Sequence, residues 1–503
     1  MVNSMKILII KLFLFSFIFS QTNSIDIATT GANKLRMHGQ LNVFHNPATM
    51  GYHAKQSHID TLGSNVSLED LSQQSEESQV QLNENDENEF SESENFQDDL
   101  SDSLDLKIDE VIASSDSIIA DTLEVKSHFS MNLFSVSLGL GSGSITPDWI
   151  TNQLFGGKDL RDIDQRKSFL KGISKDINVQ LPLFSGLPLL NFSFGSSVVS
   201  LGQVVSYTSM NVPKDLAQVP FVGLEKGKEL NINSLEIEHV TYLPVSYSKG
   251  FVIKPGIIPF GQKSYAGFRS NLLIGIAEVH TESVRGKVQG TDDNTLIDAD
   301  IALGVSLPVS IDDSFPKGSF PIGIGIDLGI ITEIDEKLTI GASIDNIFAS
   351  FNWNGTTIYS ASVQGELTPD EIAEADSLSG LLDQSELKES SSYKTSLPIS
   401  INLSGTYKAK DWALLDGNIR IDLGDNYWAS KNPLVSLGAE FFPNTKVPLY
   451  FGLSFGGENS FVWGTGLSFK MGTVILDISG GQLGGLFNNA TGMQFGFGLR
   501  IHK

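Results

Sequence analysis

The sequence has no cysteine. That excludes disulfide frameworks, zinc–thiolate centres, thiol nucleophiles and a lipidated N-terminal cysteine. Basic residues are also scarce, 34 Lys and Arg against 59 Asp and Glu, for a formal charge of −25 and a pI of about 4.6. No basic stripe offsets this balance, so nucleic acid is not an expected partner. Beyond residue 24, no run of roughly 18 apolar residues is free of charge. If the mature chain enters a membrane, it must do so with the strands of a closed barrel rather than with a helix.

Motifs for chemistry are missing too. The eight histidines (His38, His45, His53, His58, His128, His239, His280 and His502) show no metal-ligand spacing, although His45 and His53 flank a turn. There is no phosphate-cradling GxxxxGK[ST] loop and no Gly-x-Ser-x-Gly elbow. Asp292, Asp293, Asp298 and Asp300 lack the spacing and glycine of a calcium loop and read as a surface turn. No catalytic residue, cofactor or metal is therefore expected, and the chain reads as a non-enzyme.

The amino terminus combines Lys6 and Lys11 with an apolar stretch from Ile7 to Phe19 and small residues at Ser20 and Ser24. This is the pattern of a secretory signal peptide, assigned to residues 1–20. Residues 21–58 follow, punctuated by Gly, Asn and Pro, as an irregular plug-like segment. Residues 59–126 hold most of the acidity: positions 60–124 carry 20 Asp and Glu against the single Lys107, leaving only −6 for the rest of the chain. So polar a stretch buries too little apolar surface to offset its ordering entropy, and it is expected to be a disordered, solvated insertion.

From Phe129 onward the pattern has period two. Phe134, Val136, Leu138 and Leu140 alternate with Ser135, Ser137, Gly139 and Gly141, and the last strand sets Met493, Phe495, Phe497, Leu499 and Ile501 against Gln494, Gly496, Gly498, Arg500 and His502. Many such strands run about 9 to 15 residues, longer than the usual five or six and long enough to cross a bilayer. In a soluble sandwich the polar faces should carry Thr, Lys, Glu and Arg. Here Gly, Ser and Asn dominate them, with sparse charges at Asp327, Asp345, Arg420, Asp422, Asp477 and Arg500. Small residues with few charges suit a confined lumen, and the opposite faces of Leu, Ile, Val and Phe suit lipid. The 31 Phe outnumber Tyr and Trp, which together number 15. Tyr242, Tyr265, Trp353, Tyr407, Trp412, Tyr427, Trp428, Tyr450 and Trp463 fall near strand ends, a placement resembling an interfacial girdle, with ordinary core aromatics as the alternative.

These readings predict an all-β fold: a transmembrane antiparallel β-barrel of roughly 14 strands over 127–503, with the N-terminal plug-like segment and short helices in its loops. The helices are expected within 146–174, around Gly156 and Gly157, and within 367–388, where Thr368 would be the N-cap and Pro369 the first helical residue.

Three patches carry a family resemblance: Asn46-Pro47-Ala48 near the mature N-terminus, "GIGIDLGIITEIDEKLTIGASIDNIFASFNW" in mid-chain, and "YKTSLPISINLSGTYK" downstream. In this order they resemble the fatty-acid-transporter-like outer-membrane barrels, which include the PorV-type barrels of a bacterial secretion system. The resemblance implies a cell outer-membrane location, a plug bearing Asn46, Pro47 and Ala48, and passage or binding of small hydrophobic molecules, with outer-membrane lipid around the wall. It also leaves open a docking role toward an envelope protein partner. A secreted soluble β-protein is a third, weaker alternative.

Overall fold

The computed structural model describes residues 24–36, 45–53, 129–142, 145–149, 151–152, 163–170, 176–186, 191–254, 256–292, 294–307, 320–368, 382–383, 387–389, 392–424 and 429–503. The expected signal peptide and acidic insertion lie outside the described residues.

Fourteen antiparallel staves close into a barrel. They are β1 (Phe129–Gly141), β2 (Ile177–Gly186, continued by Asn191–Phe194), β3 (Ser197–Ser200, continued by Gln203–Val212), β4 (Glu236–Ile253), β5 (Lys263–Gly290), β6 (Thr295–Ser306 above Ile322–Glu333), β7 (Leu338–Ile347 below Thr357–Leu367), β8 (Ile399–Lys410), β9 (Ala413–Leu423), β10 (Leu434–Phe441), β11 (Leu449–Gly456), β12 (Phe461–Met471), β13 (Val474–Leu483) and β14 (Gly492–His502). Closure comes from β14 pairing back onto β1, from Ser130 opposite His502 to Gly141 opposite Gly492. A closed ring leaves no unpaired sheet edge at the seam.

The two ends of the barrel differ. At one end most connections are tight, as in the two-residue turn between Met471 and Val474, where Gly472 supplies the positive φ of 66° that such a turn requires. Both termini of the barrel chain meet at this end, the Phe129 N–H donating to the Lys503 carbonyl at 3.0 Å. The β6–β7 turn lies there as well. In it the Asp335 carboxylate accepts from the Lys337 and Leu338 N–H groups at 2.7 and 2.8 Å, and these bonds hold it below the usual carboxylate range. At the other end some connections are long, such as residues 213–235 between β3 and β4, and β5 runs on for 28 residues. Its upper half, with upper β6, is covered by a helix over Lys214–Val222 whose Val219 packs with Ile232, Val288 and Ile297. That helix was not among the sequence expectations.

Burial is inverted relative to a soluble protein. Ile324, Leu437 and Phe495 on the outer face are 61%, 53% and 54% exposed, whereas the interior positions Asp327 and Ser436 are 4% and 0% exposed. No helix among the described residues is long and apolar enough to cross a membrane, which says nothing of strands.

One sequence expectation of helix holds, and two other expectations change. Within 146–174, helix covers Pro147–Trp149 and Ile163–Leu170, while Gly156 and Gly157 lie outside the described residues. In the second helical prediction, residues 369–381 lie outside the described residues, but Leu382–Asp383 and Leu387–Glu389 are strand, paired with upper β7. The free edge of upper β7 offers these residues backbone partners that an isolated helix would have to replace. The proposed girdle also divides. Tyr265, Trp353 and Tyr450 are buried inside, and Tyr242 joins an interior apolar cluster. Tyr407 and Trp412 are exposed, Trp463 is half-buried, and Tyr427 and Trp428 lie outside the described residues. Parity explains the interior tyrosines: Tyr265 shares a face with Gly267, Arg269 and Asn271, and Tyr450 with Gly452 and Ser454.

Candidate functional site: the occupied barrel interior

The N-terminal segment runs inside the wall. A one-and-a-half-turn helix, Ser24–Ala28, is fully buried, and Ser24 Oγ donates to Ser479 Oγ at 2.9 Å. The inward glycines of the strands are the surfaces on which this segment rests. A Cβ built on Gly452 would lie 2.3 Å from the Thr29 carbonyl carbon, one on Gly464 2.0 Å from the Ile27 oxygen, and one on Gly267 2.4 Å from the Pro47 backbone. Glycine allows backbone to approach backbone where any side chain would intervene. The small residues expected to line a confined lumen thus include the seats of an inner chain segment.

Polar contacts complete the fit. Asn46 Nδ2 donates to the Ile330 and Ala342 carbonyls at 3.1 and 3.0 Å, bridging β6 and β7, while its Oδ1 accepts from the Ala48 N–H at 3.0 Å. Pro47 rests on Gly267 and Gly329, and Ala48 packs with Leu35, Tyr265 and Ile331. Arg36 reaches Asp416 on β9, with Nε at 2.8 Å from Oδ1, and pairs with Glu440 on β10. His45 Nε2 lies 3.1 Å from Asp26 Oδ2, and Lys34 Nζ lies 3.2 Å from His45 Nδ1. Burial lowers the His45 pKa against the opposing pull of Asp26. A neutral ring protonated at Nε2 satisfies both contacts: it donates to Asp26 and accepts from the Lys34 ammonium at Nδ1. Burial likewise lowers His53, to about 4.

Above this segment lies a cavity of about 450 Å³. Its floor includes Asp26, Thr30 and Lys34 of the N-terminal segment. One side is apolar, with Val205, Tyr207, Val240, Tyr242, Leu273 and Leu397, and the other is polar, with Asn402, Asn418, Ser436 and charged groups. An inner two-stranded ribbon, Ser350–Asn354 paired with Ser392–Ser396, packs against the residues of the apolar side. This ribbon buries Phe351 and Trp353 against Val240 and Leu273, and Trp353 Nε1 donates to Thr395 Oγ1 at 2.9 Å.

Four of the six charged residues singled out from the sequence meet at this cavity: Asp327, Asp345, Arg420 and Asp422. Asp327 accepts from Arg269 Nε at 2.7 Å, Asn271 Nδ2 at 2.9 Å and the Asn346 N–H at 2.6 Å. Arg420 Nε donates to Asp422 Oδ1 at 2.7 Å. Asp345 Oδ2 accepts from Asn402 Nδ2 at 2.7 Å. The remaining two form a separate buried pair, Arg500 Nε to Asp477 Oδ2 at 2.9 Å. Arg269, Arg36, Asp416 and Glu440 were not among the residues singled out. Parity in "YAGFRSNL" puts Arg269 on the face of Gly267 and Asn271, a signal present in the sequence. Among the described residues no three His, Asp or Glu side chains converge as a metal site requires.

The geometry defines a closed antiparallel β-barrel of fourteen strands, apolar outside, polar and partly filled within. Residues 122–477 match a family described as one of unknown function, DUF5723, and the chain belongs to that family. No curated protein matches it in sequence. Among solved structures it is similar to a Pseudomonas aeruginosa FadL homologue, at 9% identity and a TM-score of 0.41, covering 96% of this chain and 99% of that one. It is also similar to the Ralstonia pickettii toluene transporter TbuX, at 11% identity and a TM-score of 0.34, covering 75% and 89%. The Pseudomonas putida toluene transporter TodX is similar at 9% identity and a TM-score of 0.34, covering 76% and 89%.

Proposed function

We propose that this protein is a non-enzymatic outer-membrane barrel that binds or admits a small solute with an apolar part, its N-terminal segment serving as the plug. The observation that carries the reading is the combination of an inverted wall with a half-apolar interior cavity. An outer surface of Leu437, Phe451, Phe495 and their neighbours belongs in lipid, because apolar area left in water is unfavourable by roughly 25 cal/mol per Å². A cavity of about 450 Å³ lies within the range of roughly 300 to 1,000 Å³ usual for small-molecule sites. Its apolar side accepts a hydrocarbon group, and its polar side orients the rest of the solute. The signal-peptide pattern and the ordered sequence patches support the same location.

The test has two parts. Fractionated membranes should hold the protein until detergent extracts it, as a heat-modifiable band; recovery in the aqueous phase would refute the membrane reading. Purified protein in lipid nanodiscs should bind a small aromatic probe such as 2-phenylethanol saturably, with a loss on Leu273→Asp. Absence of saturable binding would refute the solute reading.

One feature favours a docking role as a second reading: β5 continues for 28 residues where roughly 9 to 11 cross a bilayer, so its upper half projects as a sheet beyond the wall. Cross-linking in native outer membranes separates the readings, since a recurrent envelope protein favours docking.

A further inference from the structure

We infer that the interior cavity selects a cationic solute, a protonated amine carrying an apolar group, and that Asp345 is the residue that binds its charge. The inference rests on the solute reading above and adds the chemical class of the ligand.

The carboxylates around the cavity are not equivalent. Asp327 is saturated by Arg269, Asn271 and the Asn346 N–H, and Asp422 by Arg420, Ser400 Oγ at 2.6 Å and the Ser430 N–H at 3.0 Å. Asp345 accepts from Asn402 and, at 3.4 Å, from Ser343, both at Oδ2. Its Oδ1 is buried and has no hydrogen-bond partner among the described residues. A buried carboxylate oxygen without a donor is unfavourable and calls for a proton, a cation or a ligand N–H.

Among the described residues, the three cations lining the same cavity are engaged elsewhere. Arg269 is held by Asp327 and the His45 carbonyl, Arg420 by Asp422, and Lys34 by His45 Nδ1. A divalent metal would need several oxygen ligands at once, and the neighbouring carboxylates already belong to arginine pairs. A single ammonium needs fewer ligands.

The surroundings of Asp345 fit such a ligand. Asn346 Nδ2 donates to the Pro398 carbonyl at 3.0 Å, which places Asp345 beside Leu397 and Pro398. Leu397 packs with Val240, Leu273 and the rings of Tyr207 and Tyr242. An ammonium at Asp345 therefore lays its hydrocarbon on an apolar surface within the same cavity, next to aromatic faces that attract cations.

The test compares two probes of one shape on the full chain in phosphatidylcholine nanodiscs, whose lipid has no net charge to recruit cations. At neutral pH, 2-phenylethylamine should bind at least tenfold more tightly than 2-phenylethanol by calorimetric titration. Asp345→Asn should bring the amine to the affinity of the alcohol and leave the alcohol unchanged. Equal binding of the two probes by the wild-type chain overturns the inference while leaving the solute reading standing, and this comparison needs no variant. Retention of amine preference by Asp345→Asn, or displacement of the amine by calcium chloride at lower concentration than the amine itself, also overturns it. Binding of neither probe overturns both readings.

Discussion

The seating of the N-terminal segment on inward glycines makes one substitution decisive. Gly452→Ala adds a single methyl group, which would lie 2.3 Å from the Thr29 carbonyl carbon and 2.6 Å from its Cα and oxygen, all backbone atoms with no rotamer to yield. Overpacking of this kind costs about 1 to 3 kcal/mol. The wall is continuous in hydrogen bonds on both sides of Gly452, so the segment should give way before the strand does. At about 1.4 kcal/mol per factor of ten, the unseated population rises about 5- to 150-fold. Gly417→Ala is the control, because its methyl group would meet nothing nearer than 4.0 Å. The assay uses the absence of cysteine: Ile25→Cys introduces one thiol at a buried position of the segment, reached by a soluble maleimide only when the segment leaves its seat. When opening is fast relative to labelling, the labelling rate reports the open population. Equal labelling rates for the Gly452→Ala and Gly417→Ala proteins would show that the glycines are not the seat.

Arg36→Ala should unseat the segment more strongly, by about 3 to 5 kcal/mol, because it leaves Asp416 and Glu440 as buried carboxylates without their guanidinium, and the same thiol should label faster still. Acid should act in the same direction. His53 is held at about 4, below its ordinary 6.5, so the released segment takes up a proton that the seated one refuses. Seating is then at full strength above about pH 6.5 and is lost as pH falls toward 4; labelling that is flat between pH 7 and 4.5 would contradict this. On the outer wall, Leu437→Lys should destabilise the barrel by about 2 to 4 kcal/mol if near the bilayer midplane, measured by urea unfolding in lipid, whereas a soluble β-protein would tolerate it.

Much of the architecture was legible because strand parity is a local property. The alternation in "GIGIDLGIITEIDEKLTIGASIDNI" separates Ile324 and Leu328 from Gly323, Gly325 and Asp327 without any knowledge of neighbours, and the glycine- and serine-rich character of the second face identifies it as the confined one. The same rule, applied to Tyr265 and Tyr450, would have assigned both to the interior. Proximity to a strand end carries no information about face, which is why grouping those tyrosines with Trp412 as a girdle failed.

The sequence by itself determined an all-β chain whose small-polar and apolar faces are reversed relative to a soluble sheet. It also marked Asp327, Asp345, Arg420, Asp422, Asp477 and Arg500 as the sparse charges on the polar faces. Tertiary structure alone decided which of these meet. Asp345 and Arg420 approach one cavity because β7, β8 and β9 are neighbours in the ring, and Arg500 finds Asp477 because β13 and β14 are. It alone decided that Gly452 and Gly464 receive the backbone of Thr29 and Ile27, residues more than 400 positions away in the chain. Alternation is written by the local geometry of a strand. Long-range pairing depends on where the closed ring brings each strand, and no spacing within a segment encodes that.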